Sequence, residues 1–192
     1  MALITAANYK TFASIGDANL DTLIAALIPL VEARIAKHCN RLFEDGSTAR
    51  TEYFDGDGLG SVIVPKYFPV GAITSLHDDP DRGYGDAYLI DSDDYVAYDN
   101  RVELDGLVFA SGLKNIKLVY VGGYITTGES ANVPDDLKLA VYSFISWVIA
   151  RIGKEALQSE SIAHINLAQQ YVTEVPTDIR AMLASYKRHA FG

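Results

Sequence analysis

The sequence has little of what builds covalently braced or metal-held proteins. A single cysteine, Cys39, in 192 residues leaves no internal disulfide, so folding in a reducing cytosol is expected, all the more because no basic-then-apolar leader opens the chain. The longest strongly apolar stretch, residues 139–150, lies between Lys138 and Arg151 and is too short to span a bilayer, so no membrane partner is expected. Bases are scarce as well. Against 25 acids there are 16 lysines and arginines, a net charge of -9, the wrong sign for gripping nucleic acid by its phosphates. The four histidines, His38, His77, His164 and His189, are far apart and lack ligand-spaced partners, which argues against zinc or any other cofactor. Neither a Gly-Lys-Ser/Thr phosphate loop nor a Gly-x-Ser-x-Gly nucleophile elbow occurs, so no enzyme is expected.

What the sequence does have is a 49% apolar composition, enough for a real core. Its charge is also unevenly distributed: residues 44–105 hold 15 acids and 4 bases, the remainder 10 acids and 12 bases. The acidic middle carries glycines, tyrosines and alternating apolar positions, whereas the ends carry helical patterns. Near the start, a short helix is expected over 6–14. A long one over 18–42 would be capped by Asp17, with a stripe of Leu20, Leu23, Ile24, Leu27, Ile28, Val31, Ile35 and Leu42; Pro29, opposite that stripe, would kink rather than break it. Strands are expected at 51–54, 61–64, 72–77, 87–90, 102–104, 107–109 and 116–121, with Asp105-Gly106 as the best hairpin signal. Proline-led openings at Val133-Pro134-Asp135-Asp136 and Val175-Pro176-Thr177-Asp178 start helices running to about 152 and 187. The first is apolar nearly all round, so it is either the central helix of the core or also packs on a neighbouring subunit. The plan is α+β and mainly helical: a helix bundle, made of an N-terminal long helix plus two C-terminal helices, with a small antiparallel β-rich insertion. Its parts are 1–43, 44–128 and 129–192, forming one compact unit.

The acidic middle invites two chemical readings. Asp78, Asp79, Asp81, Asp86, Asp91, Asp93 and Asp94 suggest a calcium loop or paired catalytic carboxylates, as in a calcium-binding module or small hydrolase. A calcium loop started at Asp79 would put Gly83 and Ile90 at ligand positions, so a solvated acidic loop is favoured. Tyr84, Tyr88, Tyr95 and Tyr98 would suit a sugar or peptide platform, but tyrosine is also an ordinary strand residue. Gly56-Asp57-Gly58-Leu59-Gly60 reads as a turn between strands, not a nucleotide loop.

Five motifs follow one another in order: Tyr53-Phe54-Asp55-Gly56-Asp57-Gly58, Val62-Ile63-Val64-Pro65, Pro69-Val70-x-x-Ile73-Thr74-Ser75-Leu76, Val119-Tyr120-Val121-Gly122-Gly123-Tyr124, and Val133-Pro134-x-Asp136-Leu137-Lys138-x-Ala140. With the closing Leu183-x-x-Tyr186-Lys187-Arg188, this series resembles the head-tail connector, or adaptor, family of tailed double-stranded DNA bacteriophages and prophages. The resemblance implies a non-enzymatic virion protein at the head-tail junction, assembled in the host cytoplasm as a homo-oligomeric ring, expected to be a dodecamer. Such a ring sits beneath the portal protein, offers a surface to a tail-side stopper or tail-completion protein, and lets DNA pass through its channel without specific binding. A tail-completion or stopper protein is the alternative within the same class. The candidate subunit interface is Tyr142, Ile145 and Ile149, on the second side of the apolar helix. The candidate portal-facing arm is Lys187, Arg188, His189 and Phe191.

Overall fold

Helix-forming and strand-forming segments separate along the chain, and the computed structural model, which describes residues 3–16, 18–43, 46–126, 131–156 and 174–188, shows why. Two units form. Met1–Asn40 and Ala131–Lys187 make the first, Arg41–Ser130 and Arg188–Gly192 the second.

In the first unit, Thr5 Oγ1 accepts the Asn8 amide at 3.1 Å and starts α1 (Ala6–Ala13), which Ser14 closes in the left-handed conformation at φ 54°. Helix α2 (Asp21–Cys39) buries Ile24, Leu27, Ile28, Val31, Ile35 and Cys39, and runs through the exposed Pro29 on its other side. It begins with no side-chain cap, and the expected cap, Asp17, lies outside the described residues. It also ends three residues before the expected 42. Asn40 turns left-handed at φ 52° and returns its N–H to the Ala36 and Lys37 carbonyls, so Leu42 leaves the helix and is exposed. Helix α3 (Asp135–Ala156) contacts α1, α2 and the short α4 (Thr177–Met182). Those three neighbours explain a helix apolar nearly all round: Leu137, Ala140, Val141, Phe144, Ile145, Val148 and Ile152 are all buried. After α4 the chain tightens into a 3-10 turn at Ala184–Tyr186, so the final helix stops short of the expected 187. Ile179, Leu183 and Tyr186 nevertheless form the expected buried stripe, with the Tyr186 hydroxyl donating to Asp136.

The second unit holds two antiparallel sheets. In one, β6 (Gly112–Gly122) lies between β1 (Ala49–Gly56) and β3 (Val70–Asp78); in the other, β5 (Val102–Leu104) lies between β2 (Val62–Ile63) and β4 (Tyr95–Ala97). Ile116, Leu118 and Tyr120 alternate inward from β6 and meet Ile63, Leu76, Val102, Leu104 and Phe109 in one core. The fold is therefore α+β with substantial sheet, not mainly helical with a small insertion. The sequence signals understate the strands because pairing to β6 extends β1 to Ala49 and Gly56 and β3 to Asp78, residue types depleted in strands. Two expected strands are absent. Of residues 87–90, Ala87 and Tyr88 belong to a 3-10 turn and Leu89 only bridges to His77, and 107–109 form a loop. Gly106 does turn at φ 68°, but β5 pairs with β2 and β4 instead of with 107–109.

Gly122 and Gly123 have a steric origin. A side chain on Gly122 would strike the Tyr67 carbonyl and the Tyr120 ring, and Gly123 has φ 99°. The Tyr120 hydroxyl donates to Glu52, which also takes the Lys66 amide, and receives the Tyr67 amide at 3.2 Å. Burial first, then the hydrogen bond to Glu52, pushes the Tyr120 phenol well above its ordinary value of 10.0. A phenol whose pKa is raised by folding stabilises the fold below the unfolded pKa and loses that contribution as pH rises. Stability is therefore expected to fall steeply above about pH 10, and Tyr120→Phe to flatten that fall in alkaline melts. An equal slope in both proteins would refute the assignment.

Candidate functional site

Strand β1 ends where three segments meet, and the acidic residues there are structural. Asn115, fully buried, accepts the Gly56 amide at 2.9 Å and donates to Asp78 and to the Ala110 carbonyl, both at 2.8 Å. Asp78 also takes the Ala110 amide at 2.6 Å. Asp79 is buried too, accepting the Asp81 amide at 2.9 Å and the Tyr84 amide at 2.6 Å. Asp57 accepts the amides of Leu59 and Gly60, and these two bonds lower its pKa and close the expected turn. Asp57, Asp78 and Asp79 thus each hold backbone donors of nearby loops. Among the described residues no three His, Cys, Asp or Glu side chains gather around one point.

The four tyrosines go to separate places. Tyr84 packs against Tyr53 and donates its hydroxyl to the Lys114 carbonyl, Tyr95 packs on the sheet core, Tyr98 lies under Arg101 at 3.9 Å, and Tyr88 is exposed. His77 is buried beside Lys117, with burial first and that charge second holding it below the usual histidine range. His164 and His189 lie outside the described residues.

What remains for recognition is surface. On the first unit, Tyr142 is half-buried and stacks on Phe12 at 4.7 Å, while Phe12 and Leu139 are 48% and 41% exposed. Of the other two candidate interface residues, Ile149 is half-buried, but Ile145 is 0% exposed and wholly enclosed by its own unit. The second side of α3 thus leaves Leu139 exposed and Tyr142 and Ile149 half-buried, with Phe12 of α1 beside Tyr142. Sequence reasoning missed Phe12 because the short α1 carries only a weak apolar stripe.

The second unit also has an apolar tip. Leu59, in the Asp57 turn, is 83% exposed and Leu113 73%, with Leu107 and Val108 also exposed; the Phe109 amide bonds the Gly60 carbonyl at 2.9 Å and joins the two loops. At the end of the described chain, Lys187 is exposed and Arg188 donates to the Val64 carbonyl within the second unit, at 3.2 Å from Nε. His189 and Phe191 lie outside the described residues.

With this geometry in place, a family model described as head completion protein matches residues 2–189. No curated protein matches the sequence. Among solved structures, the chain is similar to one in the virion of the native gene transfer agent (GTA) particle, at 15% identity and a TM-score of 0.57, covering 98% of this chain and 91% of that one. It is also similar to a chain in the neck of the empty GTA particle, computed with C6 symmetry, at 14% identity and a TM-score of 0.56, with the same coverage. At such identities the likeness establishes the fold.

Proposed function

The chain belongs to the head completion protein family, and on that premise we propose that it is a ring-forming connector at the head-tail junction of a tailed phage or phage-like particle. The observation that carries this reading is the family match over nearly the whole chain, supported by the likeness of fold to a chain from a GTA neck. In this role the protein extends the DNA channel between portal and tail, and assembles in the host cytoplasm. Its acidity suits a DNA channel, since a net charge of -9 lets a polyanion slide past where a basic lining would hold it. Exposed Phe12 and Leu139, with Tyr142 and Ile149, supply apolar surface for a neighbouring subunit. Lys187, Arg188, His189 and Phe191 form the portal-facing arm, with Arg188 as its anchor on Val64.

The test is mass measurement with negative-stain microscopy of the purified chain, alone and with its portal. A ring in either sample supports the connector. A monomer in both overturns it, and binding only to an already assembled connector would indicate the stopper role instead. The arm is tested by ending the chain after Arg188. Thermal stability is expected to stay within about 2 °C, since trimming a short chain end generally costs little, while portal docking is lost. Unchanged docking would remove the arm from this reading.

A further inference from the structure

Four aspartates in the sequence directly precede glycine, at 45–46, 55–56, 57–58 and 105–106, and no asparagine does. In such a pair the glycine amide nitrogen can attack the aspartate side-chain carboxyl, because the glycine has no Cβ to shield that nitrogen. The attack needs a carboxyl free to swing onto the backbone and an amide that is not already held. The fold therefore decides which pair can react.

Three of the four pairs are tied. Gly46 gives its amide to the Tyr124 carbonyl at 3.0 Å. Gly56 gives its amide to Asn115 at 2.9 Å, and Asp55 accepts the Lys114 amide at 2.7 Å. Asp57 is turned onto the amides of Leu59 and Gly60, at 2.8 Å and 2.7 Å, beyond the glycine that follows it. The same bonds favour its ionised form, which is the poorer electrophile. Asp105-Gly106 differs on each count. Both residues are exposed, the Gly106 backbone turns at φ 68°, and nothing lies within 4 Å of the place its Cβ would take. Among the described residues, neither the Asp105 carboxylate nor the Gly106 amide has a hydrogen bond or an ion pair.

We propose that Asp105 is a self-modification site, which converts to isoaspartate through a succinimide ring closed with Gly106. The Gly106 nitrogen forms a bond to the Asp105 Cγ, and its proton leaves with the carboxyl hydroxyl as water. Water then opens the ring at either carbonyl: one opening restores aspartate, and the other leaves the chain running through Cγ. One water leaves and one returns, so mass and oxidation state are unchanged and no co-reactant is required. The product has one more methylene in its backbone. The amides of Leu104 and Asp105, bonded to the Ser61 and Asp94 carbonyls at 2.8 Å each, precede that insertion and keep β5 in its sheet. Exposed Leu107 and Val108 follow it, so the modification displaces part of the apolar tip and spares the sheet.

The test incubates the full-length chain, folded and in denaturant, at about pH 6, where a small fraction of an ordinary aspartate carries the proton that leaves with the oxygen. Electron-transfer fragmentation of the digested peptides separates isoaspartate from aspartate, and heavy-oxygen water labels each ring opening. In the folded chain Asp105 is expected to hold at least about tenfold more isoaspartate than any of Asp45, Asp55 and Asp57; in denaturant the four are expected to agree within about threefold. Asp105→Glu, whose attack would have to close a six-membered ring, is expected to abolish the signal at 105 and leave the other sites as in the parent. Equal conversion at all four sites in the folded chain overturns the inference, as does conversion mainly at Asp57. So does an Asp105 that reacts in denaturant but not in the folded chain, since the turn would then be holding its carboxyl away from the amide.

Discussion

Ile145→Asp is expected to cost the helical unit about 4 kcal/mol or more, whereas Leu139→Asp on the same helix is expected to cost about 1 kcal/mol or less. The contrast follows from position. Ile145 is 0% exposed in the middle of α3, a helix that α1, α2 and α4 all contact, so an aspartate there has neither water nor a partner. Leaving a carboxylate uncompensated in such a place costs about 4 kcal/mol or more, a large share of the roughly 5–15 kcal/mol that holds a typical domain together. Leu139 is 41% exposed and loses little by becoming polar. Circular dichroism melts of the two variants check the fold, and light scattering checks assembly. A folded Ile145→Asp chain that fails to assemble would return Ile145 to the subunit interface; a folded Leu139→Asp chain that fails to assemble would locate that interface on the outer face of α3.

Asn115→Ala is expected to destabilise the sheet unit by about 3 kcal/mol. Three groups lose a partner together: the Gly56 amide, the Ala110 carbonyl and one oxygen of Asp78. Asp78 keeps the Ala110 amide, and the loop groups are close enough to the surface to find water, which holds the total at the low end of three unmet bonds. Hydrogen exchange at Gly56, Asp79 and Ala110 should quicken first. Asn115→Asp provides the sharper check, since it puts a carboxylate where an amide donated to Asp78. At about pH 7 it should be worse than alanine, and it should recover as the pH falls toward about 4 and one of the two carboxyls takes a proton to share. An Asn115→Ala protein that melts within about 1 °C of the parent would mean that this junction does not hold the sheet together.

The same junction shows what local pattern conveys. Gly56-Asp57-Gly58-Leu59-Gly60 was readable as a turn because Asp57 bonds residues two and three positions ahead, an interaction that lies wholly within the motif. Asn115 was invisible: its partners are 59, 37 and 5 residues away, and nothing near it in sequence marks it as buried. Likewise, the stripe Ile24, Leu27, Ile28, Val31 and Ile35 was legible from helical spacing, and Ile116, Leu118 and Tyr120 from alternation.

By itself, the sequence determined the helical ends, the inward faces of α2 and β6, the Asp57 turn and the family, since each depends on neighbouring residues or on motifs in order. Only the tertiary structure decided how far the strands extend, that residues 87–90 and 107–109 are not strands, that Ile145 faces its own core, and that Asp78 and Asp79 hold loops in place of ligands. The reason in each case is pairing across long separations: a strand grows to the length of its partner, an apolar helix face is covered by whichever elements fold against it, and a carboxylate's role is set by the donors that reach it.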